Sequence, residues 1–387
     1  MVRATSILLR RSPVAFDPRL RDVTNSRSTD EAYQEYILPL VSRTFALTIP
    51  ELPEPLRSAV TTAYLLCRIA DSIEDEPQIA SRAKFALLER FAACVCGQAE
   101  PQALAAEIAS RLSADTLPAE RDLAGNLDRI VRLVKSLSPA ERRPIERCLR
   151  IMCRGMYHYQ ENASLSGLDR MQDLDSYCYV VAGCVGEMLT ELFGAHCAEF
   201  ARKRPQLLAL AASFGQGLQM TNILKDMWED RGRGVCWLPR DVFRRYRVDV
   251  EQLPSGRDSA AFAAGLRELV AIAHAHLRNA LSFTLAVPRQ EPGIRRFCLL
   301  AIGMALLTLR KIHHNPTFTS GAQVKIARTA VVTTKVLTDF AVERDGMLKV
   351  LFYEAAHGLP LQRVAIRPGS VLGDPSIFGS ASAGRGE

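Results

Sequence analysis

The sequence predicts an all-α fold, built as one helical domain over residues 31–366. Three observations carry that reading. Apolar residues recur at three- and four-residue spacing along most of the chain. Alternating β-branched runs closed by Asn-Gly or Asp-Gly turns are missing. Pro and Gly gather between the periodic stretches. Those breaks fall at Pro50 to Pro55, Pro101, Pro139, Ser166-Gly167, Pro239, Pro254-Ser255-Gly256, Pro288 to Gly293 and Asn315-Pro316. No shift in composition divides the helical stretch, and no solenoid-type repeat is visible. Residues 1–30 are polar and basic, and the tail 367–387 is rich in Gly, Ser and Ala, so both predict segments with little fixed structure.

Composition narrows the function. Hydrophobic residues make up 48% and charged residues 24% of the 387, as in ordinary globular proteins. The net charge of +7 is mild and suits an anionic ligand, an anionic membrane surface or no charged partner at all. No dense Lys/Arg run with interleaved aromatics is present, which argues against nucleic acid. The ten Cys are scattered without zinc spacing and predict reduced thiols in a cytoplasmic setting. At the N-terminus, Ile7-Leu8-Leu9 is too short for a signal-peptide core, which leaves an Arg-rich transit segment open. The longest apolar run, Cys298 to Leu309, is shorter than the ~20 residues a spanning helix needs, so no transmembrane segment is expected.

The first chemical signal lies in 57–75. Val60, Tyr64, Cys67, Arg68, Asp71, Glu74 and Asp75 share one helical face. An apolar stripe that turns acidic should line a cavity. Its carboxylates repel one another unless a cation sits between them, and Mg²⁺ prefers such hard oxygen ligands. A solvated acidic helix end is the plainer alternative.

The second signal repeats the first. Asp226-Met-Trp-Glu-Asp230 follows Gln219 and Asn222 on one helical face. Buried amides need partners, which a hydrated metal–diphosphate would supply. Two such clusters about a domain's length apart suit a diphosphate held through metal ions, whose departure leaves a cation in an apolar pocket.

Four motifs in order then carry a resemblance over roughly Ser42 to Leu361. They are Val41-Ser-Arg-Thr-Phe45, Tyr64-Leu-Leu-Cys-Arg-Ile-Ala-Asp-Ser-Ile-Glu-Asp75, Tyr177-Cys-Tyr-Val-Val-Ala-Gly-Cys-Val-Gly186 and Gln219-Met-Thr-Asn-Ile-Leu-Lys-Asp-Met-Trp-Glu-Asp230. Together they resemble the squalene/phytoene synthase family. The resemblance implies an isoprenoid-synthase-type bundle around a central apolar cavity, acting as a prenyltransferase. Asp71, Glu74, Asp75, Asp226, Glu229 and Asp230 would hold Mg²⁺, with Mn²⁺ able to substitute. Ser42, Arg43, Arg68, Gln219, Asn222 and Lys225 would meet diphosphate. Tyr177, Tyr64 and Arg68 would act in catalysis, and Phe45, Val181 and Phe297 would line the pocket. For Tyr177 the alternative is a satisfied core tyrosine, and for Ser42-Arg43 a helix cap beside a surface Arg.

Within the family the segments Phe297 to Leu309 and Val324-Lys325-Ile-Ala-Arg328 resemble the reductive branch. That branch joins two molecules of farnesyl diphosphate through presqualene diphosphate and reduces the product to squalene with NADPH. Lys325 and Arg328 would meet the extra phosphate of NADPH; a solvated basic turn is the other reading. The alternatives are a non-reductive member making phytoene, dehydrosqualene or presqualene diphosphate, and an inactive scaffold. Complete acidic clusters argue against the scaffold. Lys225, Met227 and Trp228 depart from the family pattern, and the Gly-rich stretch Arg231 to Pro239 would be a lid. A monomer with room for peripheral membrane contact is expected.

Overall fold

Thr29 opens the first helix, α1 (Asp30–Val41), where its Oγ1 accepts from the Ala32 N–H at 3.1 Å. The structure, a computed structural model, describes residues 28–42, 44–253 and 259–366. Segment 1–27, Arg43, the whole Pro254-Ser255-Gly256 break (within residues 254–258) and the tail from 367 lie outside the described residues. Among those described there is no strand; extended backbone pairs in one isolated bridge, Leu168 to Pro239. The all-α expectation holds.

The described chain forms two compact units. The first takes in residues up to Tyr157 plus Glu191–Ala198. After α1 come α2 (Phe45–Thr48), a 3₁₀ turn (Ile49–Glu51), α3 (Leu56–Asp75), α4 (Ser81–Val95), α5 (Pro101–Arg111), α6 (Pro118–Gly125), α7 (Leu127–Ser136) and α8 (Pro139–Glu161). Pro101 and Pro118 stand in the first turn of their helices, where a missing N–H costs nothing. Helices α1, α4, α6 and α7 pack against α3. Leu65, Leu66, Ile69, Ala70 and Ile73 of α3 are almost fully buried, so α3 is this unit's core helix.

The second unit comprises His158–Thr190 and the chain from Glu199. It holds α9 (Met171–Cys178), a π-helical turn (Tyr179–Gly183), most of α10 (Cys184–His196), α11 (Ala198–Ala201), α12 (Arg204–Gly232), α13 (Arg240–Arg244), α14 (Ala260–Ala286), α15 (Pro292–His314), α16 (Gly321–Val324), α17 (Arg328–Ala341) and α18 (Asp345–Ala355). The long helices α12 and α14 pack along each other, and α12 also meets the π turn. That second approach needs glycine. A Cβ on Gly215 would stand 2.2 Å from Ala182 O, and one on Gly186 2.2 Å from Ala211 O. Arg295 of α15, 1% exposed, ties the later helices together: it donates to Val287 O, to Val342 O at 2.9 Å and to Asp345 Oδ1 at 2.8 Å.

No disulfide links the ten cysteines, and seven of them are buried. The apolar run at Cys298 sits inside the 23-residue α15. By length and composition, α15 and the stretch Met171–His196 are each long and apolar enough to cross a bilayer. Their most apolar windows are 67% and 61% buried within the protein, as core helices are.

Candidate active site

In the first unit the predicted residues line up along α3 and the α1–α2 junction. Val60 is buried, then Arg68 (2% exposed), Asp71 (7%) and Glu74 (4%) follow, with Tyr64, Cys67 and Asp75 half-buried. The face that turns from apolar to acidic is therefore enclosed, and the solvated-end reading fails. Ser42 is buried and accepts from the Phe45 N–H at 3.0 Å, a capping contact. Phe45 and Tyr64 bring their rings within 5.1 Å, and the Tyr64 hydroxyl donates to Val41 O at 3.4 Å. Burial pushes Tyr64 up to about 12.

Arg68 has a partner the motif does not announce. Its Nη2 donates to Glu120 of α6, and both side chains are 3% exposed. Nε and Nη1 of the same guanidinium are buried without a hydrogen-bond partner. Arg68, Ser72, Asp75, Thr116 and Glu120 together line a small depression. Past the end of α3, Glu76 accepts from the Ser113 N–H at 2.8 Å and from Thr116 Oγ1 at 3.0 Å. Burial pushes the Glu76 pKa upward, but these donors outweigh it and hold the acid below its usual range. At Asp71 burial outweighs the nearby Arg68 charge and pushes the acid up to about 7.

In the second unit α12 presents the other cluster. Gln219 (2% exposed), Asp226 (5%) and Asp230 (7%) are buried, with Asn222, Lys225 and Glu229 half-buried. Burial pushes Asp226 up to about 6, although Lys225 Nζ stands 3.1 Å from its Oδ2. Lys225, predicted to meet diphosphate, is thus engaged by its neighbour. Arg233 pairs with Asp230 one turn on. Glu229 Oε1 accepts from the Gly321 N–H at 2.8 Å, while Glu229 Oε2 and Gln219 Oε1 are buried without a hydrogen-bond partner. Through Gly321, α16 seats the basic segment beside this cluster: Lys325 follows α16 directly, and the exposed Arg328 opens α17. Lys311 Nζ anchors the segment at Lys325 O, 2.7 Å away.

Tyr177 is 4% exposed and lies two residues before the π turn, a feature frequent at functional sites. Its ring stacks on Trp237 with centroids 4.1 Å apart at 17°, and Tyr159 lies 5.0 Å away. Sequence reasoning missed Trp237; one of only two Trp in the chain, it follows the second cluster closely. It lies in the stretch expected to form a lid, and that expectation is corrected. The Leu168 N–H donates to Leu238 O at 3.1 Å, Cys236 N–H to Ser164 O at 2.9 Å and Arg240 N–H to Leu168 O at 2.7 Å. Arg231 adds bonds to Val250 O at 2.8 Å and Leu253 O at 2.6 Å, so the stretch is fastened down. Gly183 and Gly186, which follow Tyr177 closely along the chain, admit the close approach of α12. Val181 and Phe297 are buried, 4% and 5% exposed, in the π turn and α15.

Behind α9 runs a polar network. Asn279 Nδ2 donates to Ser213 Oγ at 2.9 Å, and Ser213 Oγ lies 2.7 Å from His276 Nδ1. Gln216 Nε2 donates to Asp175 O at 3.1 Å.

No three Asp, Glu, His or Cys side chains among the described residues gather as a ready-made metal cage. Their chemistry nonetheless fits a divalent cation. The donors are hard carboxylate oxygens, two of the acids are destabilised in ionised form by burial, and Glu229 Oε2 awaits a partner.

Comparison with known proteins matches this arrangement. The model of the squalene/phytoene synthase family matches residues 38–330. The squalene synthase ERG9 of Candida albicans is 32% identical over 326 residues, covering 80% of this chain and 67% of that protein. A squalene synthase of Eremothecium gossypii is 31% identical over 300 residues, covering 76% and 64%. The chain thus spans about two thirds of the length of these relatives. Among solved structures, TcSQS in complex with the ligand BPH1237 aligns with a TM-score of 0.69 at 25% identity, over 90% of this chain and 97% of that one. A dehydrosqualene synthase shares the fold, with a TM-score of 0.62 at 20% identity, over 84% and 99%. With its two acidic helices, its Tyr177 motif and a family match over most of its length, the chain belongs to the squalene/phytoene synthase family.

Proposed function

We propose that this protein is a reductive member of its family, with residues 31–366 as the catalytic domain. It joins two farnesyl diphosphates head to head through presqualene diphosphate and reduces the product to squalene with NADPH. The observation that carries the reading is the pair of complete, buried acidic clusters, each with a carboxylate raised by burial, on a chain 32% identical to a squalene synthase over 80% of its length.

Each residue then has a task. Asp71, Glu74 and Asp75 on α3, and Asp226, Glu229 and Asp230 on α12, would hold Mg²⁺, with Mn²⁺ able to substitute. When bound, the metal supplies positive charge that eases departure of the diphosphate. The open Nε and Nη1 donors of Arg68 suit anionic phosphate oxygens. Ser42, Arg43, Gln219, Asn222 and Lys225 would meet the diphosphate. The stacked rings of Tyr177 and Trp237 would offer π surface to an allylic cation, and the Tyr177 hydroxyl would handle the proton lost in forming the cyclopropane. Tyr64, raised to about 12, stays a neutral phenol that donates without ionising. Val181, Phe45 and Phe297 would supply the apolar lining. Lys325 and Arg328 would meet the NADPH phosphate as point and forked charges. The protein is assigned to the cytoplasm, as a monomer.

The test is direct. Purified protein is incubated with farnesyl diphosphate and Mg²⁺, with and without NADPH, and the product identified. Squalene that forms only with NADPH is expected. A product unchanged by the cofactor refutes the reductive step, and no turnover of any prenyl diphosphate refutes the enzyme.

A further inference from the structure

Arg68 is a buried group with donors still open. Its Nη2 donates to Glu120, and both side chains are 3% exposed, while Nε and Nη1 are buried without a hydrogen-bond partner. A long, flexible side chain must lose its rotamer freedom before it can bind an anion. Glu120 arrests the guanidinium beforehand, provided that Glu120 is itself held in place.

α3 supplies that hold. Glu76, buried just past the end of α3, accepts on Oε2 from the Ser113 N–H at 2.8 Å and from the Thr116 hydroxyl at 3.0 Å. Both donors lie in the connection that leads into α6. Arg121, next to Glu120, donates from Nη2 to Ser113 O and ties the same connection to α6. α6 in turn packs on α3. The segment whose Glu120 grips Arg68 is therefore gripped by Glu76, roughly two turns further along. Between the two grips lies the depression lined by Arg68, Ser72 and Asp75 of α3 and by Thr116 and Glu120. Arg68, Ser72 and Asp75 share one helical face at spacings of four and three. Ser72 Oγ donates to Arg68 O at 2.9 Å and Thr116 Oγ1 to Glu76. With both hydroxyl protons engaged, the donors that remain for an anion are those of Arg68.

We propose that Glu120 is a positioning residue for the diphosphate site: it fixes the Arg68 guanidinium in one orientation, with Nε and Nη1 open to phosphate oxygens. Glu120 touches no substrate and acts through Arg68 alone. A carboxylate this close also repels an anion, so orientation must be the larger effect. Asp71 supplies the reason. It lies one turn along α3 and already feels the Arg68 charge, so a guanidinium released by Glu120 can turn to it instead of to a ligand. The inference rests on the proposed function in one respect: the anion that meets Arg68 is a diphosphate.

The probe is inorganic pyrophosphate with Mg²⁺, titrated calorimetrically into the full chain, so turnover is not needed. Wild-type protein should bind it. Glu120→Gln keeps an acceptor but loses the charge, and should weaken binding about tenfold. Glu120→Asp keeps the charge but draws it back by one methylene. It should also weaken binding, and it carries the test should the glutamine variant not fold. In an Arg68→Met background, Glu120→Gln should cost nothing further, because no guanidinium is left to position. A purely structural Glu120 would cost the same in both backgrounds, and that result overturns the proposal. Wild-type affinity in both single variants overturns it as well. So does tighter binding, which would make Glu120 a brake on Arg68, and so does a wild type that binds no pyrophosphate. Turnover of farnesyl diphosphate, measured alongside, keeps the two claims apart. An active wild type whose Glu120 variants bind pyrophosphate equally well loses this inference and keeps the proposed function.

Discussion

The backbone N–H of Gly321 donates to Glu229 Oε1 at 2.8 Å, and a methyl group on Gly321 would lie 2.9 Å from Asp226 Oδ1. One residue, 92 positions beyond Glu229, therefore shapes two carboxylates of the second cluster. Space, not an unusual backbone angle, demands glycine here. The contact occupies one oxygen of Glu229 and leaves the buried Oε2 for a cation. Because α16 runs on to Lys325, it also tethers the basic segment to the acidic helix.

Gly321→Ala tests this packing. The added methyl must displace Asp226 or push α16 away, and either change disturbs carboxylates held to sub-ångström tolerance. Turnover should fall by about tenfold or more, with the Mg²⁺ concentration for half-maximal rate rising. The melting temperature should move little, because α16 is short and peripheral. Turnover and metal dependence equal to wild type would show that the contact is incidental.

Both acidic helices were legible because their carboxylates, tyrosine, arginine and amides repeat at three- and four-residue spacing, a local property. Partners far along the chain were not. Glu120, 52 residues from Arg68, sits on a short helix with no pattern of its own. Trp237 reads as part of a glycine-rich loop until Tyr177 is set against it. Gly321 looks like an ordinary helix start. The ion pair of Lys225 with its neighbour Asp226 was not legible either. Periodicity reports which residues share a face, not what the face meets.

The Arg68–Glu120 pair makes a separable prediction. Both partners are 3% exposed, so removing the acid strands a buried guanidinium. Glu120→Ala should cost about 3–5 kcal/mol in urea unfolding. Arg68→Met/Glu120→Leu should recover much of that stability, because an apolar pair of similar volume replaces buried charge. If Arg68 serves the diphosphate, the double variant stays nearly inactive despite its recovered fold. A stable and fully active double variant would reduce Arg68 to a structural role.

Trp237 holds the Tyr177 ring from one side at 4.1 Å. Trp237→Phe keeps an aromatic face and should retain most activity. Trp237→Ala frees the tyrosine and removes a π surface, and should lower turnover about tenfold, in line with the order of a kcal/mol that such contacts contribute. Tyr177→Phe, by contrast, should stop formation of the cyclopropyl intermediate while leaving the stack intact. Product analysis from farnesyl diphosphate separates the two: equal losses in both variants would deny the hydroxyl a chemical part.

His276 predicts how stability depends on acid. Burial pushes it down to about 4, from an ordinary value of 6.5. Asp175 Oδ1 is 3.9 Å from Nε2, too far for a hydrogen bond, so burial governs. Asn279 donates to Ser213 Oγ, which leaves the Ser213 hydroxyl proton to point at His276 Nδ1, a bond suited to neutral imidazole. At pH 7 and above both the folded and unfolded states hold this histidine neutral, and it contributes no pH dependence. Below 6.5 the unfolded chain takes up a proton that the folded chain refuses until about pH 4. The unfolded state then binds more protons, so stability is lost as pH falls through that window. Between pH 7 and 5 the loss from this group is about 2 kcal/mol. Urea unfolding of wild type and His276→Gln at both pH values isolates it from other titrations. The glutamine variant, which has no proton to take up, should show the smaller drop by about that amount. Equal drops would mean that the imidazole is protonated in the folded protein and finds its counter-charge in Asp175.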